Sequence, residues 1–143
     1  MKILEILRRK GWEVVTITED RSVLDAARKL VEHNIGGLVV TEGSHPVGII
    51  TERDILRLTA ESPERLAQVE VGAVMTRELI VAEPEDKLRH SMGVMTRRKV
   101  RHLPVIDGRE LVGIVSIGDL VHTCLELADD ENVHLRRYIH GMS

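Results

Sequence analysis

A single cysteine, Cys124, stands in a chain of 143 residues. An internal disulfide and a multi-cysteine zinc site are therefore excluded. The usage fits a reducing compartment, with the cytoplasm as the expected location. Phenylalanine is absent, and Trp12 and Tyr138 are the one tryptophan and the one tyrosine. A core must then be built from Val, Ile, Leu, Ala and Met, and a planar ligand would be held between aliphatic side chains. The aromatic platforms of single-strand nucleic-acid binders are missing for the same reason. Charge of one sign is also lacking: 20 basic against 23 acidic residues leave a formal charge of −3. That gives no general attraction to nucleic acid or to an anionic membrane, and either partner would need a local patch. No apolar run approaches the roughly eighteen residues of a membrane-spanning helix. Charges from Lys2 onward interrupt the N-terminus, which is unlike a secretory signal. Nor is there a nucleophile elbow, a Walker A loop, a pair of acids with a suitable base, or a metal-binding cluster. No catalytic and no metal-ligating residues are expected.

What the chain does have is repetition. Gly48-Ile49-Ile50-Thr51-Glu52-Arg53-Asp54-Ile55 returns 65 residues later as Gly113-Ile114-Val115-Ser116-Ile117-Gly118-Asp119-Leu120. Each copy is a glycine, a short apolar run, a hydroxyl residue, two variable positions, an aspartate and an aliphatic residue. The pattern predicts a buried strand that stops at Thr51 or Ser116 and turns directly into a helix. The hydroxyl falls at the N-cap and the aspartate at N3, where a carboxylate favours the positive end of the helix. One such tetrad is an ordinary capping box and needs no further role. Two of them make two related pockets with free backbone N–H groups, where phosphates bind readily.

Around these corners the rest of the chain falls into order. Ile3, Leu4 and Leu7 lie at helical spacing in a docking helix over residues 1–11, with Gly11 as its C-cap. Repeat 1 spans 12–60. It holds a strand at Val14–Ile17 and a helix from Ser22 to about His33, with Leu24, Ala27, Leu30 and Val31 inward. A hairpin follows, of Gly36–Thr41 and Val47–Thr51, and then the helix after Thr51. A linker covers 61–74. Repeat 2 spans 75–127. Its strand is Leu79–Val81, its helix begins at Pro84-Glu85-Asp86 and holds Leu88, Met92 and Met95, and its hairpin turns at Asp107-Gly108. The copies match at an offset of 64 before the first helix and 65 after it, which places one extra residue near Arg97–Lys99. A helical tail covers 128–143. The expected fold is α/β (α+β): two β-α-β-β-α units packed sheet to sheet about a pseudo-twofold axis, with short helices at both ends.

The two corners, together with Arg101-His102-Leu103-Pro104-Val105-Ile106-Asp107, resemble a CBS-domain pair (a Bateman module). The likeness covers residues 12–127. The leading helix and the closing Leu135-Arg136-Arg137-Tyr138-Ile139-His140-Gly141 are similar to a stand-alone tandem CBS subgroup. The resemblance implies a regulatory module for energy or redox sensing that binds AMP, ADP, ATP, NAD(H) or S-adenosylmethionine. By position, Thr51 and Ser116 would bond ribose or phosphate, and Asp54 and Asp119 would accept from the ribose hydroxyls. An ionised carboxylate is acceptor-only and suits a vicinal diol. Ile35, Ile49, Val100 and Ile114 match positions that sandwich adenine. Arg101 and His102 match phosphate-binding positions, for which a solvated strand edge is the alternative. Arg53 in the first corner against Gly118 in the second, with Gly36-Gly37 where the second copy has Arg101-His102, implies one dominant site and one weaker or empty one. The family also implies a homodimer through the helices after Thr51 and Ser116, using Ile55, Leu56, Leu58, Leu120, Val121 and Leu125, and a regulated protein that the sequence does not identify. Membrane and nucleic acid are not expected partners. A ligand-free interaction scaffold with the same fold is the competing expectation.

Overall fold

The structure, a computed structural model, describes the backbone of residues 1–141 and the side chains of residues 1–131. Helix α1 (Ile3–Lys10) opens the chain and ends at Gly11, whose positive φ of 107° glycine adopts readily. Strand β1 (Thr16–Thr18), helix α2 (Val23–His33), strands β2 (Gly37–Glu42) and β3 (His45–Thr51) and helix α3 (Glu52–Glu61) follow. A 3-10 turn at Pro63–Arg65 and the short helix α4 (Val71–Val74) lead to α5 (Leu88–Arg98), β4 (His102–Asp107), β5 (Glu110–Ser116) and α6 (Ile117–Gly141). No helix among the described residues is long and apolar enough to cross a membrane.

In the first sheet β1 runs parallel to β2, and β2 pairs antiparallel with β3. The second sheet is the hairpin β4–β5, with Leu103 opposite Val115. The expected strand at Leu79–Val81 does not form; instead Ala82 alone makes a parallel bridge to Val105. The reason lies just downstream. The carbonyls of Pro84 and Asp86 accept from the first N–H groups of α1, those of Leu4 and Ile3, both at 2.9 Å. Asp86 also closes a turn by accepting from the Glu83 N–H at 2.9 Å. These residues therefore cap α1 and leave the ladder. For the same reason α5 begins at Leu88, not at Pro84–Asp86.

The register corrects a second expectation. Ile17 opposite Val40 corresponds to Ala82 opposite Val105, and the helices at 23–33 and 88–98 are 65 apart at both ends. Their C-caps, Asn34 and Lys99, are both left-handed. The offset is thus 65 throughout the shared elements, and no residue is inserted near Arg97–Lys99. The buried face of α2 is likewise Val23, Ala26 and Leu30, while Val31 is 83% exposed. The tail expected from about Asp129 continues α6 without a break.

Two aliphatic cores result, and the segments leading into the repeats are exchanged between them. Ile3, Ile6 and Leu7 of α1 pack into the core of the second repeat with Leu103, Val105, Val115 and Leu120. Val71 and Met75 pack into the core of the first, with Ile17, Leu38, Val40 and Ile50. The repeated glycines make this possible. A Cβ at Gly113 would fall 2.7 Å from Leu7 Cδ2, and one at Gly48 would fall 2.8 Å from both Met75 Sδ and the Thr76 carbonyl.

One buried group breaks the symmetry. Ser91 is 1% exposed and its Oγ has no hydrogen-bond partner, whereas the position 65 residues earlier is the fully buried Ala26. An unpaired buried hydroxyl costs about 1–3 kcal/mol. Ser91→Ala is therefore expected to stabilise the fold by about 1 kcal/mol, read as a higher denaturant midpoint at unchanged slope.

Candidate functional site

Each repeated corner forms as its residue pattern requires. Strand β3 ends at Thr51, the N-cap of α3, and the N3 carboxylate turns back so that Asp54 Oδ2 accepts from the Thr51 N–H at 2.9 Å. The Thr51 hydroxyl lies 3.3 Å from the same oxygen. In the second corner Asp119 Oδ2 accepts from the Ser116 N–H at 2.8 Å, and Ser116 Oγ accepts from the Asp119 N–H at 3.1 Å. One residue after each cap, the first helical N–H reaches the residue that precedes the neighbouring strand: Glu52 donates to the Gly36 carbonyl at 3.0 Å and Ile117 to the Arg101 carbonyl at 2.8 Å. Both corners are thus fixed on both sides, and in each the aspartate is only half-buried.

The other expected residues divide between these corners and their surroundings. Ile35 and Val100 begin the turns into β2 and β4, each donating its N–H at 3.0 Å to the end of the preceding helix, and both are half-buried. Ile49 and Ile114 are half-buried on β3 and β5. Arg53 and Gly118, each one residue before its aspartate, are exposed, as is Arg101.

His102 is the exception among them, because its ring lies against the first repeat. A Cβ on Gly37 would meet its Cγ at 3.2 Å, and one on Gly36 would meet its Nε2 at 3.2 Å and Glu52 Oε1 at 2.8 Å. The register makes Gly37 the counterpart of His102, so a glycine and a histidine meet across the axis, and a side chain at Gly37 would press on the His102 ring. Burial holds the His102 imidazole below its ordinary pKa of 6.5. The carboxylates of Glu52 and Asp119 pull it upward, and Lys10 and Arg101 oppose them.

Two residues in these surroundings carry no signal in the sequence motif. Glu52 reaches the His102 face. Lys10, at the end of α1, donates to Asp119 Oδ2 at 2.7 Å and to the Ile114 carbonyl at 2.8 Å. Burial alone would raise the Asp119 carboxyl; the Lys10 hydrogen bond and the Ser116 N–H outweigh it and hold the group below the ordinary 3.8. Among the described residues no cluster of histidine, cysteine and carboxylate side chains could hold a metal ion. His33, His45 and His90 are exposed and apart.

Two like strand-to-helix corners on a duplicated fold define a tandem-repeat α/β module. The CBS-domain pattern matches residues 3–61 and again 71–126, and the chain belongs to the CBS-domain family. It is 36% identical to the mitochondrial CBS domain-containing protein CBSX3 of Arabidopsis thaliana, over 97% of this chain and 72% of that one. The crystal structure of the CBS-domain containing protein ATU1752 from Agrobacterium tumefaciens matches with a TM-score of 0.83 at 35% identity, covering 86% of this chain and 98% of that one. A CBS domain pair of protein MJ0100, crystallised with 5′-methylthioadenosine and S-adenosyl-L-methionine, matches with a TM-score of 0.77 at 28% identity, over 86% and 94% of the two chains.

The buried imidazole generates a pH prediction. His102 binds its proton less tightly in the fold than in the unfolded chain, so its contribution to stability is complete above about pH 6.5 and is lost as the pH falls from there toward the folded value. Asp119, also depressed, acts in a lower window: its contribution is present above 3.8 and is lost as the pH falls below it. Denaturant unfolding between about pH 7 and pH 5 should show stability declining with pH, and His102→Asn should flatten that decline.

Proposed function

We propose that the chain is a regulatory module that binds an adenine nucleotide (AMP, ADP, ATP or NAD(H)) at its two corners and has no catalysis of its own. The observation that carries this reading is the state of the two carboxylates. In each corner Oδ2 is engaged by the capping N–H, while among the described residues Oδ1 receives no hydrogen bond. Such an oxygen suits the two donors of a ribose 2′,3′-diol. A carboxylate would repel phosphate, so it belongs beside the sugar, with the phosphate toward Arg53, Arg101 and His102. Ile35 with Ile49, and Val100 with Ile114, supply aliphatic surfaces for the base, as a chain poor in aromatics requires. The adenosine compounds bound to the MJ0100 pair support the same ligand class.

For the assembly we propose a homodimer through α3 and α6. Leu56 and Leu125 are 68% and 61% exposed, and Val121 is 40% exposed. Leu58 and Leu120, by contrast, are buried in the chain's own cores. Changing Leu56 and Leu125 together to glutamate should shift the sedimenting species to monomer without loss of helical signal. A location in the cytoplasm and a separate regulated protein complete the reading.

Thermal unfolding against AMP, ADP, ATP, NAD(H) and S-adenosylmethionine tests the ligand class. A ligand at a hundred times its dissociation constant should stabilise by about 2.7 kcal/mol, a shift of several degrees for this size. One of Asp54→Ala and Asp119→Ala should abolish the shift, and that one marks the dominant site. If no compound moves the midpoint, the corners are capping boxes alone and the chain is an interaction scaffold.

A further inference from the structure

The two corners match in sequence but not in what faces them. The lead-in segments correspond through the twin glycines, Leu7 lying over Gly113 and Met75 over Gly48, so Lys10 stands three residues beyond the position that Met75 fills. At the first corner the Thr76 backbone bonds Ile49 both ways: the Thr76 N–H donates to the Ile49 carbonyl at 2.9 Å, and the Ile49 N–H to the Thr76 carbonyl at 3.0 Å. At the second, the Ile114 carbonyl accepts from Lys10 Nζ at 2.8 Å, and the same ammonium reaches Asp119 Oδ2 at 2.7 Å. Met75 turns its sulfur toward Gly48 as Leu7 turns its methyls toward Gly113, and among the described residues Asp54 is bonded only by Thr51. The side chains of Lys10 and Asp119 are only 32% and 26% exposed, so water screens this pair less than one on the open surface.

We infer that Lys10 is an internal occupant of the second corner and the residue that decides which cleft takes ligand. Among the described residues no cation is bound to Asp54, whereas Asp119 is already paired with an ammonium of its own chain. The helix that carries Lys10 is fixed, since Ile3 and Leu7 are fully buried and Ile6 nearly so. A ligand must therefore displace the lysine side chain by rotation of its four-carbon stem, with α1 staying in place. The second cleft is the weaker one because binding there first breaks an existing ion pair. This inference rests on the reading of the corners as ribose sites.

Calorimetric titration of AMP into the full chain and into Lys10→Met, which keeps an unbranched stem without the charge, tests it. The parent should take about one equivalent, lost in Asp54→Ala and kept in Asp119→Ala. The Lys10→Met chain should take a second equivalent, which adding Asp119→Ala removes. Should Lys10→Met unfold, Lys10→Gln keeps a donor for the Ile114 carbonyl without the charge. An unchanged stoichiometry in a folded variant overturns the inference, as does parent binding that depends on Asp119 and not on Asp54. If AMP binds neither chain, the nucleotide reading fails separately. The role of Lys10 is then decided without ligand by following the Asp119 carboxyl carbon through its titration. A midpoint that rises in Lys10→Met supports the internal pair, and one that does not move overturns it.

Discussion

The close approach of each lead-in segment to the other repeat's sheet is the constraint on which the remaining structure depends. A unit with two or three short strands and two helices has too little apolar surface to bury its sheet alone. Here α1 completes the second core and the Val71–Met75 segment completes the first. Both insertions pass over a glycine in a strand, Gly113 or Gly48, at distances where no Cβ fits. The glycine that opens each corner motif is therefore a packing requirement. It fixes the strand whose end presents the hydroxyl and the aspartate, and it commits the two repeats to one another.

That exchange also explains which parts of the structure were legible in the sequence. The corners could be read because all their contacts are local: a hydroxyl at the N-cap, an acid three residues on, an apolar strand before them. Thr51–Asp54 and Ser116–Asp119 close as expected. The hairpins could be read for the same reason, since Gly108 adopts a positive φ at the predicted turn. The strand expected at Leu79–Val81 failed because its continuation caps α1, at the far end of the chain's sequence. Pattern alone gives no sign of that commitment. The misplaced inserted residue has the same origin, for Val81 looks like the partner of Ile17 but is 42% exposed, while the smaller Ala82 is buried and bridged.

The asymmetry of the site follows from chemistry placed across the axis. Arg101-His102 against Gly36-Gly37 was visible as a difference between copies. Its physical meaning was not, because nothing in the sequence shows that His102 and the two glycines touch. Lys10 was hidden more deeply. It closes a run of three basic residues at a helix end, a place where cations are favoured by the helix dipole alone. Its partner Asp119 lies 109 residues further on.

These contacts place opposite electrostatic conditions on two nearly identical carboxylates. Each accepts a capping N–H, so each is anchored by its own helix, and the difference must come from outside the motif. At Asp119 partial burial penalises the charge, and the ammonium of Lys10 together with the Ser116 hydrogen bonds outweighs that penalty, which is why the group is held ionised. At Asp54 compensation among the described residues comes from the capping N–H and the nearby hydroxyl of Thr51 alone. An uncompensated, half-buried carboxylate gains more from a pair of donated hydroxyl hydrogens than one already bonded to a cation. Duplication thus supplies two corners of the same shape, and a single side chain from the exchanged lead-in makes them unequal in what they have left to bind.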